Sequence, residues 1–209
     1  MSAEDESSGS ETFDMGSEQV TGDLLWESDF EDSGEYLIEK EGGTVEFTGD
    51  ELEIDCTGGD GLTVWKQAEF PESIILHYAA TIHPPPEGNN LNCFFAASGG
   101  DEPLAESERS GSYGEYHELP NYIFTLTYRH TRMRRDPGFE RLSDLGLGAQ
   151  QERRYEITVL KRDGHLQAAI NGRLMHDVTD PDPHGSGWVA LRSWNTKATY
   201  DTWAVYEPR

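Results

Sequence analysis

From Leu24 onward the chain consists mostly of short apolar and polar runs separated by turn residues. TVEFTGDELEID and EFPESIILHYAATI, the latter ending before Pro84, alternate with a period of about two, as in strands with one buried face. LNCFFAASG is apolar nearly throughout, which is typical of a strand covered on both faces. No segment sustains the 3.6-residue period of an amphipathic helix. The pattern predicts an all-β fold.

Turn residues and local composition divide the chain further. Asp163-Gly164 and Asn171-Gly172 lie between alternating runs, and both dipeptides favour two-residue hairpins that require positive φ. Residues 133–153 are rich in glycine and charge, which predicts a crossing loop. Residues 1–20 are acidic and Ser/Gly-rich, with too little apolar surface to offset the entropy of ordering. We therefore predict a disordered leader over 1–20 and a single β-sandwich domain over 21–209.

The charge balance restricts environment and partners. Asp and Glu number 40 against 16 Lys and Arg, the formal net charge is -24, and only four residues are lysine. This predicts a salt-adapted, haloarchaeal-type protein, because at 1 M salt the Debye length of about 3 Å screens self-repulsion. An ordinary acidic protein is the alternative. So acidic a surface argues against a nucleic-acid partner.

Nothing in the sequence predicts a membrane or secreted protein. No stretch approaches the roughly 18 apolar residues of a membrane span, and the N-terminus lacks the plan of a signal peptide. Cys56 and Cys93 each lie in a strand-like run, so we expect two buried thiols rather than a disulfide. The expected location is the cytoplasm.

The segment SYGEYHE, from Ser112 to Glu118, is a candidate catalytic element. If it is extended, Tyr113, Glu115 and His117 point to one face and form a compact acid/base set. The alternative is a surface strand with its aromatic ends packed down.

The next run, residues 124–132, combines basic and aromatic residues. Read as a continuing strand, it places Tyr128, His130 and Arg132 on one face, with Arg134 just beyond. Guanidinium groups bind carboxylates bidentately, so this cluster predicts a carboxylate clamp. The alternative is a set of surface ion pairs, worth about 0–1 kcal/mol each.

Tryptophans supply candidate sugar-stacking surfaces, at Trp65, Trp188 and Trp194. In WVALRSW, Arg192 and Trp194 share a face, opposite an apolar face that is expected to be core. The alternative for each tryptophan is a place in the core. The acidic residues around His176 and Asp180 offer oxygen ligands for Ca²⁺, but their spacing matches no EF-hand. We predict no metal and no cofactor.

Two sets of blocks resemble known proteins. YEITVLKRDGHLQAAINGR, GWVALRSW and YDTWAVYE resemble the last strands of concanavalin A-like sandwiches. VWKQAEFPESIILHYAATI, CFFAASG, GSYGEYHEL, LTYRH and DPGF resemble successive blocks of the YesU-like family, between about residues 62 and 206. The resemblance implies a two-sheet antiparallel jelly-roll sandwich and a pectin-type (rhamnogalacturonan) carbohydrate context.

Together these features predict a carbohydrate-active protein that acts on uronate-containing oligosaccharides by lyase-type β-elimination on one sheet. An arginine would neutralise the sugar carboxylate, His117 or Tyr128 would take the adjacent proton, and a tyrosine would protonate the departing oxygen. Jelly-roll polysaccharide lyases use similar groupings, so this is partly analogy. One alternative is a lectin-like module that binds sugars without turnover. Another is a hydrolase using Glu115, for which no second carboxylate stands out.

Overall fold

The computed structural model describes residues 9–85, 90–100, 103–106 and 108–209. Within them sixteen strands, numbered along the chain, form two antiparallel sheets. The nine-stranded sheet contains β1 (Ser10–Asp14), β2 (Gln19–Glu27), β4 (Thr44–Phe47), β5 (Leu52–Asp55), β7 (Ile74–His83), β12 (Arg154–Arg162), β13 (His165–Ile170), β14 (Arg173–Thr179) and β16 (Lys197–Pro208). The seven-stranded sheet contains β3 (Tyr36–Lys40), β6 (Gly61–Lys66), β8 (Asn90–Ala97), β9 (Asn121–Thr127), β10 (Thr131–Asp136), β11 (Glu140–Leu145) and β15 (Trp188–Trp194).

The order of strands makes a sandwich of the jelly-roll type. The larger sheet runs β1-β2-β16-β7-β12-β13-β14, with the β4–β5 hairpin attached to β16, and the smaller runs β11-β10-β9-β8-β15-β6-β3. Two short 3-10 helices, Ser33–Glu35 and Tyr113–Glu118, lie in the connections. No helix in the described part of the chain is long and apolar enough to span a membrane. The prediction of an all-β, two-sheet antiparallel fold is confirmed.

The core lies between the two sheets and follows from strand alternation. Tyr78 and Ile157 from the larger sheet meet Cys93, Phe124 and Leu191 from the smaller, and all five are fully buried. Cys56 is also buried, and both cysteines are free thiols, as expected. Because every second residue of β8, β9 and β15 points into this core, the residues between them point to the outer face of the smaller sheet.

The N-terminal prediction is wrong for residues 9–20. Strands β1 and β2 form a hairpin that pairs with β16, and Phe13 is buried against the rings of His77 (centroids 5.1 Å apart) and Tyr206 (4.9 Å). The few apolar residues of this segment, Phe13, Met15 and Val20, lie in one cluster, so they suffice to anchor it. Residues 1–8 lie outside the described residues.

Both turn dipeptides were identified correctly, but the crossing loop was not. Asp163 (φ 51°) and Asn171 (φ 50°) stand at the turns of the β12–β13 and β13–β14 hairpins. The predicted loop over 133–153 instead holds the end of β10 and all of β11, which pair at the edge of the smaller sheet. Edge strands need little apolar sequence, and here Arg132 Nε donates to Asp144 Oδ2 across the pair at 2.8 Å.

The connection between β8 and β9, called the covering segment below, packs Leu104 and Tyr116 onto the outer face of the smaller sheet. Glu39 anchors it, accepting hydrogen bonds from Trp65 Nε1 at 2.9 Å and from the Tyr116 hydroxyl at 2.7 Å. Trp65 also stacks on Phe94, with ring centroids 5.2 Å apart. The part of the face nearer Trp194 is left open and forms the floor of a cavity.

Candidate functional site

A cavity of about 270 Å³ opens on the outer face of the seven-stranded sheet. Its lining combines amides, hydroxyls, cations and aromatic rings, from Asn90, Asn92, Tyr113, Thr125, Thr127, His130, Arg132, Arg134, Phe139, Arg192 and Trp194.

Strand register assembles the cavity floor. Asn92 on β8 pairs with Thr125 on β9 and with Arg192 on β15, and Thr125 pairs in turn with Arg132 on β10. These four side chains share the outer face, because their chain neighbours fill the core. The sheet thus places one polar row across four strands. The β8–β9 and β8–β15 pairings join residues distant in the chain, whereas the β9–β10 pairing is a local hairpin.

Arg192 lies beneath the site with its side chain held in place. It is 1% exposed, and its Nη1 donates to the Thr63 hydroxyl and to the Gly111 carbonyl, both at 3.1 Å. Burial lowers the pKa of Arg192, and Glu39 and Glu41 oppose that shift from a distance. Within the described residues, no carboxylate lies within 4.0 Å of its guanidinium group.

Arg134 is the second buried cation. It is 2% exposed, and its guanidinium carbon lies 4.3 Å from the Phe139 ring centroid and 5.1 Å from that of Tyr113. Burial lowers the pKa of Arg134 to about 10, with Asp136 opposing, so the group remains charged at neutral pH. The guanidinium of Arg192 lies 4.9 Å from the same Tyr113 ring, so this ring contacts both cations.

Several buried polar atoms of the site have no hydrogen-bond partner among the described residues. They are Nε of Arg134, Nε and Nη2 of Arg192, Oδ1 of Asn90 and Asn92, and Oγ1 of Thr125. Buried polar groups are almost always paired, so these donors and acceptors are available to hydrogen-bond with water or with a polar ligand in the cavity.

The rim is aromatic and carries one imidazole. Trp194 and Phe139 are each 43% exposed. Burial, and then the nearby charge of Arg132, lower the pKa of His130, so this imidazole is neutral at pH 7. Arg132 itself pairs with Asp144, so its charge is already compensated.

Six of the residues predicted from the sequence meet at this cavity: Tyr113, His130, Arg132, Arg134, Arg192 and Trp194. Trp65 does not, because it is fully buried beneath the covering segment. Tyr128 is exposed in a turn beside Arg129, whose guanidinium lies 4.6 Å from its ring. Trp188 lines a different cavity.

The predicted extended geometry over Ser112–Glu118 is wrong, since Tyr113–Glu118 is a 3-10 helix. Alternation therefore does not apply: Glu115 accepts hydrogen bonds from Ser110, and His117 packs behind the cavity wall. The run Phe124–Arg132 is likewise not one strand, because β9 ends at Thr127 and β10 begins at Thr131.

Sequence reasoning missed five lining residues, Asn90, Asn92, Thr125, Thr127 and Phe139. The sequence did contain a signal for Asn92. This polar residue interrupts the apolar run LNCFF between two apolar neighbours, as expected of a side chain on the opposite face of the sheet. As for metals, no group of three or more His, Cys, Asp or Glu in the described ranges is placed to hold an ion. In the suspected acidic loop, the Asp180 carboxylate instead accepts from the Tyr122 hydroxyl at 2.6 Å and pairs with Arg135.

Solved structures share this fold. One described as a protein of unknown function with galectin-like fold from Bacillus subtilis matches with 21% identity and a TM-score of 0.75, covering 88% of this chain and 96% of that one. The carbohydrate binding module CBM66 from Bacillus subtilis matches with 11% identity and a TM-score of 0.61, over 81% and 95%. The endo-β-1,3-glucanase from Pyrococcus furiosus matches with 12% identity and a TM-score of 0.63, over 95% and 98%.

Identities this low show the fold alone, a galectin-like or concanavalin A-like jelly roll. No curated protein matches the chain. One family model covers residues 56–203, which include the cavity floor and both buried arginines. The chain therefore belongs to the family described as Domain of unknown function (DUF6250).

Proposed function

We propose that the chain binds an acidic carbohydrate, a sugar that carries a carboxylate group, in the cavity on the outer face of the seven-stranded sheet. The observation that carries the proposal is the pair of buried arginines, Arg134 and Arg192, without a carboxylate partner in the described residues. Leaving a buried charge unpaired is costly, whereas a bidentate guanidinium–carboxylate contact is among the strongest polar interactions.

The rest of the lining favours a sugar over a simple anion. Trp194 offers an exposed ring to the apolar face of a pyranose, and Asn92 and Thr125 offer unpaired oxygens to its hydroxyl groups. A volume of about 270 Å³ suits one sugar unit, with further units leaving past the rim. Fold neighbours such as the carbohydrate binding module CBM66 support this choice of ligand class.

The resemblance to the YesU-like family supports a uronate of the pectin type. Polygalacturonate fragments are therefore the first probe. We also propose haloarchaeal-type salt adaptation, which the net charge of -24 supports, and a cytoplasmic location. Salt adaptation requires the melting temperature to rise between about 0.1 M and about 2 M KCl.

Calorimetric titration with a galacturonate tetrasaccharide and with its neutral galactose counterpart tests the proposal. The wild type should bind the acidic sugar alone, and Arg134→Gln should weaken binding tenfold or more, since hydrogen bonds to charged groups are worth about 1.5–3 kcal/mol. Arg173→Gln, which removes an exposed arginine from β14, is the matched control and should bind as the wild type does. Equal affinity for the neutral sugar would refute the proposal.

A second candidate function is β-elimination on the bound uronate. It is favoured by the neutral imidazole of His130, which lines the same cavity as Arg134 and the Tyr113 ring. In this version His130 replaces His117 or Tyr128 as the proton acceptor. Formation of an ultraviolet-absorbing unsaturated product by the wild type and not by His130→Ala would establish it; no product from any uronate would remove it.

The cavity lining does not favour the third alternative, a sugar hydrolase. The lining residues that the structure describes include no aspartate or glutamate, whereas carboxylate-pair hydrolysis needs two close to the scissile bond.

A further inference from the structure

His117 lies behind the cavity, between the two rings that form its wall. Its ring centroid is 4.5 Å from that of Tyr113 and 4.6 Å from that of Phe139, and both contacts are edge-to-face. The His117 side chain is only 24% exposed, and it does not line the cavity. It is therefore placed to act on the wall and not on a ligand.

A buried carboxylate holds this imidazole. The Asp136 side chain is 1% exposed, and its Oδ2 lies 3.4 Å from His117 Nδ1. Its Oδ1 accepts the backbone N–H of Phe139 at 2.8 Å, and the N–H of Gly138 donates to the His117 carbonyl at 3.3 Å. Asp136 thus ties the imidazole and the β10–β11 turn to each other.

The two rings in turn fix the buried cations. Phe139 lies over the Arg134 guanidinium at 4.3 Å, and Tyr113 lies within about 5 Å of both Arg134 and Arg192. Arg192 also has hydrogen bonds that orient it, but Arg134 makes none to the described residues. Ring contacts therefore set the direction in which the Arg134 guanidinium points.

We propose that His117, oriented by Asp136, is a positioning residue of the site: it fixes the Tyr113 and Phe139 rings, which aim Arg134 at the anionic group of the ligand. This replaces the catalytic role predicted for His117 from the sequence. The part of the proposal that concerns ligand affinity rests on the proposed function, whereas the part that concerns ring and guanidinium geometry does not.

The test uses His117→Ala, which removes the ring, and His117→Phe, which restores an aromatic ring without the Nδ1. The readouts are the nuclear magnetic resonance signals of the Tyr113 ring and of the Arg134 Nε–H, together with affinity for the galacturonate tetrasaccharide. In His117→Ala both signals should shift and affinity should fall about tenfold. In His117→Phe both should return part of the way toward wild type, because the ring is restored but its contact with Asp136 is not. A purely structural contribution would lower the melting temperature without this recovery of signals and affinity.

His77→Ala is the matched control, because His77 packs on Phe13 at 5.1 Å and bonds Thr158, but in the other sheet. It should leave the signals and the affinity unchanged. Wild-type signals in His117→Ala, or no recovery in His117→Phe, would overturn the proposal.

The experiment still decides the proposal if His117→Ala does not fold or if the wild type binds no acidic sugar. If His117→Ala does not fold, Asp136→Asn takes its place, since the amide oxygen still accepts from Phe139 while the carboxylate charge is lost. The Tyr113 and Arg134 signals must then shift in the folded variant, and unchanged signals would overturn the proposal. If the wild type binds no acidic sugar, the proposed function fails, and the resonance signals alone still decide the positioning role.

Discussion

His176 is a buried imidazole that should make the fold sensitive to acid. It is 1% exposed on β14, its Nε2 lies 3.1 Å from the Thr131 hydroxyl, and its Nδ1 lies 2.8 Å from that of Ser143. Burial lowers the pKa of His176 from its ordinary 6.5 to about 4, with Asp144 opposing weakly. The native site therefore holds a neutral ring, and the perturbation to apply is His176→Gln, which cannot titrate.

Proton linkage gives the direction and the size of the change in the free energy of unfolding with pH. The unfolded chain binds a proton to this residue near pH 6.5 and the native chain only near pH 4, so the stabilisation is complete above about pH 6.5 and is lost as the pH falls toward about 4. At about 1.4 kcal/mol for each pKa unit, the full difference is about 3 kcal/mol. Between about pH 7 and pH 4.5 the loss attributable to His176 is about 2 kcal/mol.

Urea unfolding at these two pH values measures the effect. The wild type should lose about 2 kcal/mol more than His176→Gln between them, whatever the variant costs at neutral pH. Arg173→Gln, which changes an exposed residue of the same strand, should keep the wild-type loss. Identical losses in the wild type and His176→Gln would show that the buried ring is not the acid-sensitive group.

Three further predictions concern other parts of the molecule. Phe13→Ala should lower the free energy of unfolding in urea by about 3 kcal/mol, since it empties a buried site under the N-terminal hairpin; an effect below about 0.5 kcal/mol would mean that the hairpin is not part of the folded unit. Gly111→Ala should destabilise the fold by more than about 1 kcal/mol, because φ is +92° there and an added Cβ would lie 2.7 Å from Lys40 Cα. It should also weaken sugar binding, because the Gly111 carbonyl accepts a hydrogen bond from Arg192. A wild-type melting temperature and affinity would contradict this. Trp194→Ala should reduce affinity for the acidic sugar roughly fivefold, about 1 kcal/mol, and leave the melting temperature unchanged, whereas undiminished affinity would exclude stacking on this ring.

Local rules predicted the fold well where a residue's neighbours in the chain decide its environment. Alternation identified β7, the continuous apolar run identified β8, and the dipeptides beginning at Asp163 and Asn171 marked real hairpins. The same rules failed at the N-terminal hairpin. There Phe13 packs against the rings of His77 and Tyr206, which are remote in sequence. The local composition of residues 1–20 gives no information about such distant contacts.

The site was predicted by residue type more successfully than by geometry. Arg134, Arg192 and Trp194 do share a cavity, but through pairings of β8, β9, β10 and β15 that no local pattern encodes. The acid/base set at 112–118 failed because Tyr113–Glu118 is a 3-10 helix, in which alternate residues do not share a face. Gly111, Gly114 and Pro120, which flank or interrupt this run, were the available warning against a strand.

The two buried arginines stand out most clearly against the rest of the chain. With 40 carboxylates in the chain, several other arginines pair with one: Arg154 binds Asp201, Arg209 binds Asp23, and Arg109, which is also buried, binds Glu39. Arg134 and Arg192 instead face aromatic rings, and a cation–π contact stabilises by about 0.5–2 kcal/mol, less than the several kcal/mol that an unpaired buried ion costs. A carboxylate ligand that pairs with these arginines would supply the missing stabilisation, and it could do so only in the folded state. Binding should therefore raise the melting temperature by linkage, and the rise should be smaller in Arg134→Gln than in the wild type; an equal rise in both would mean that the sugar does not use this cation.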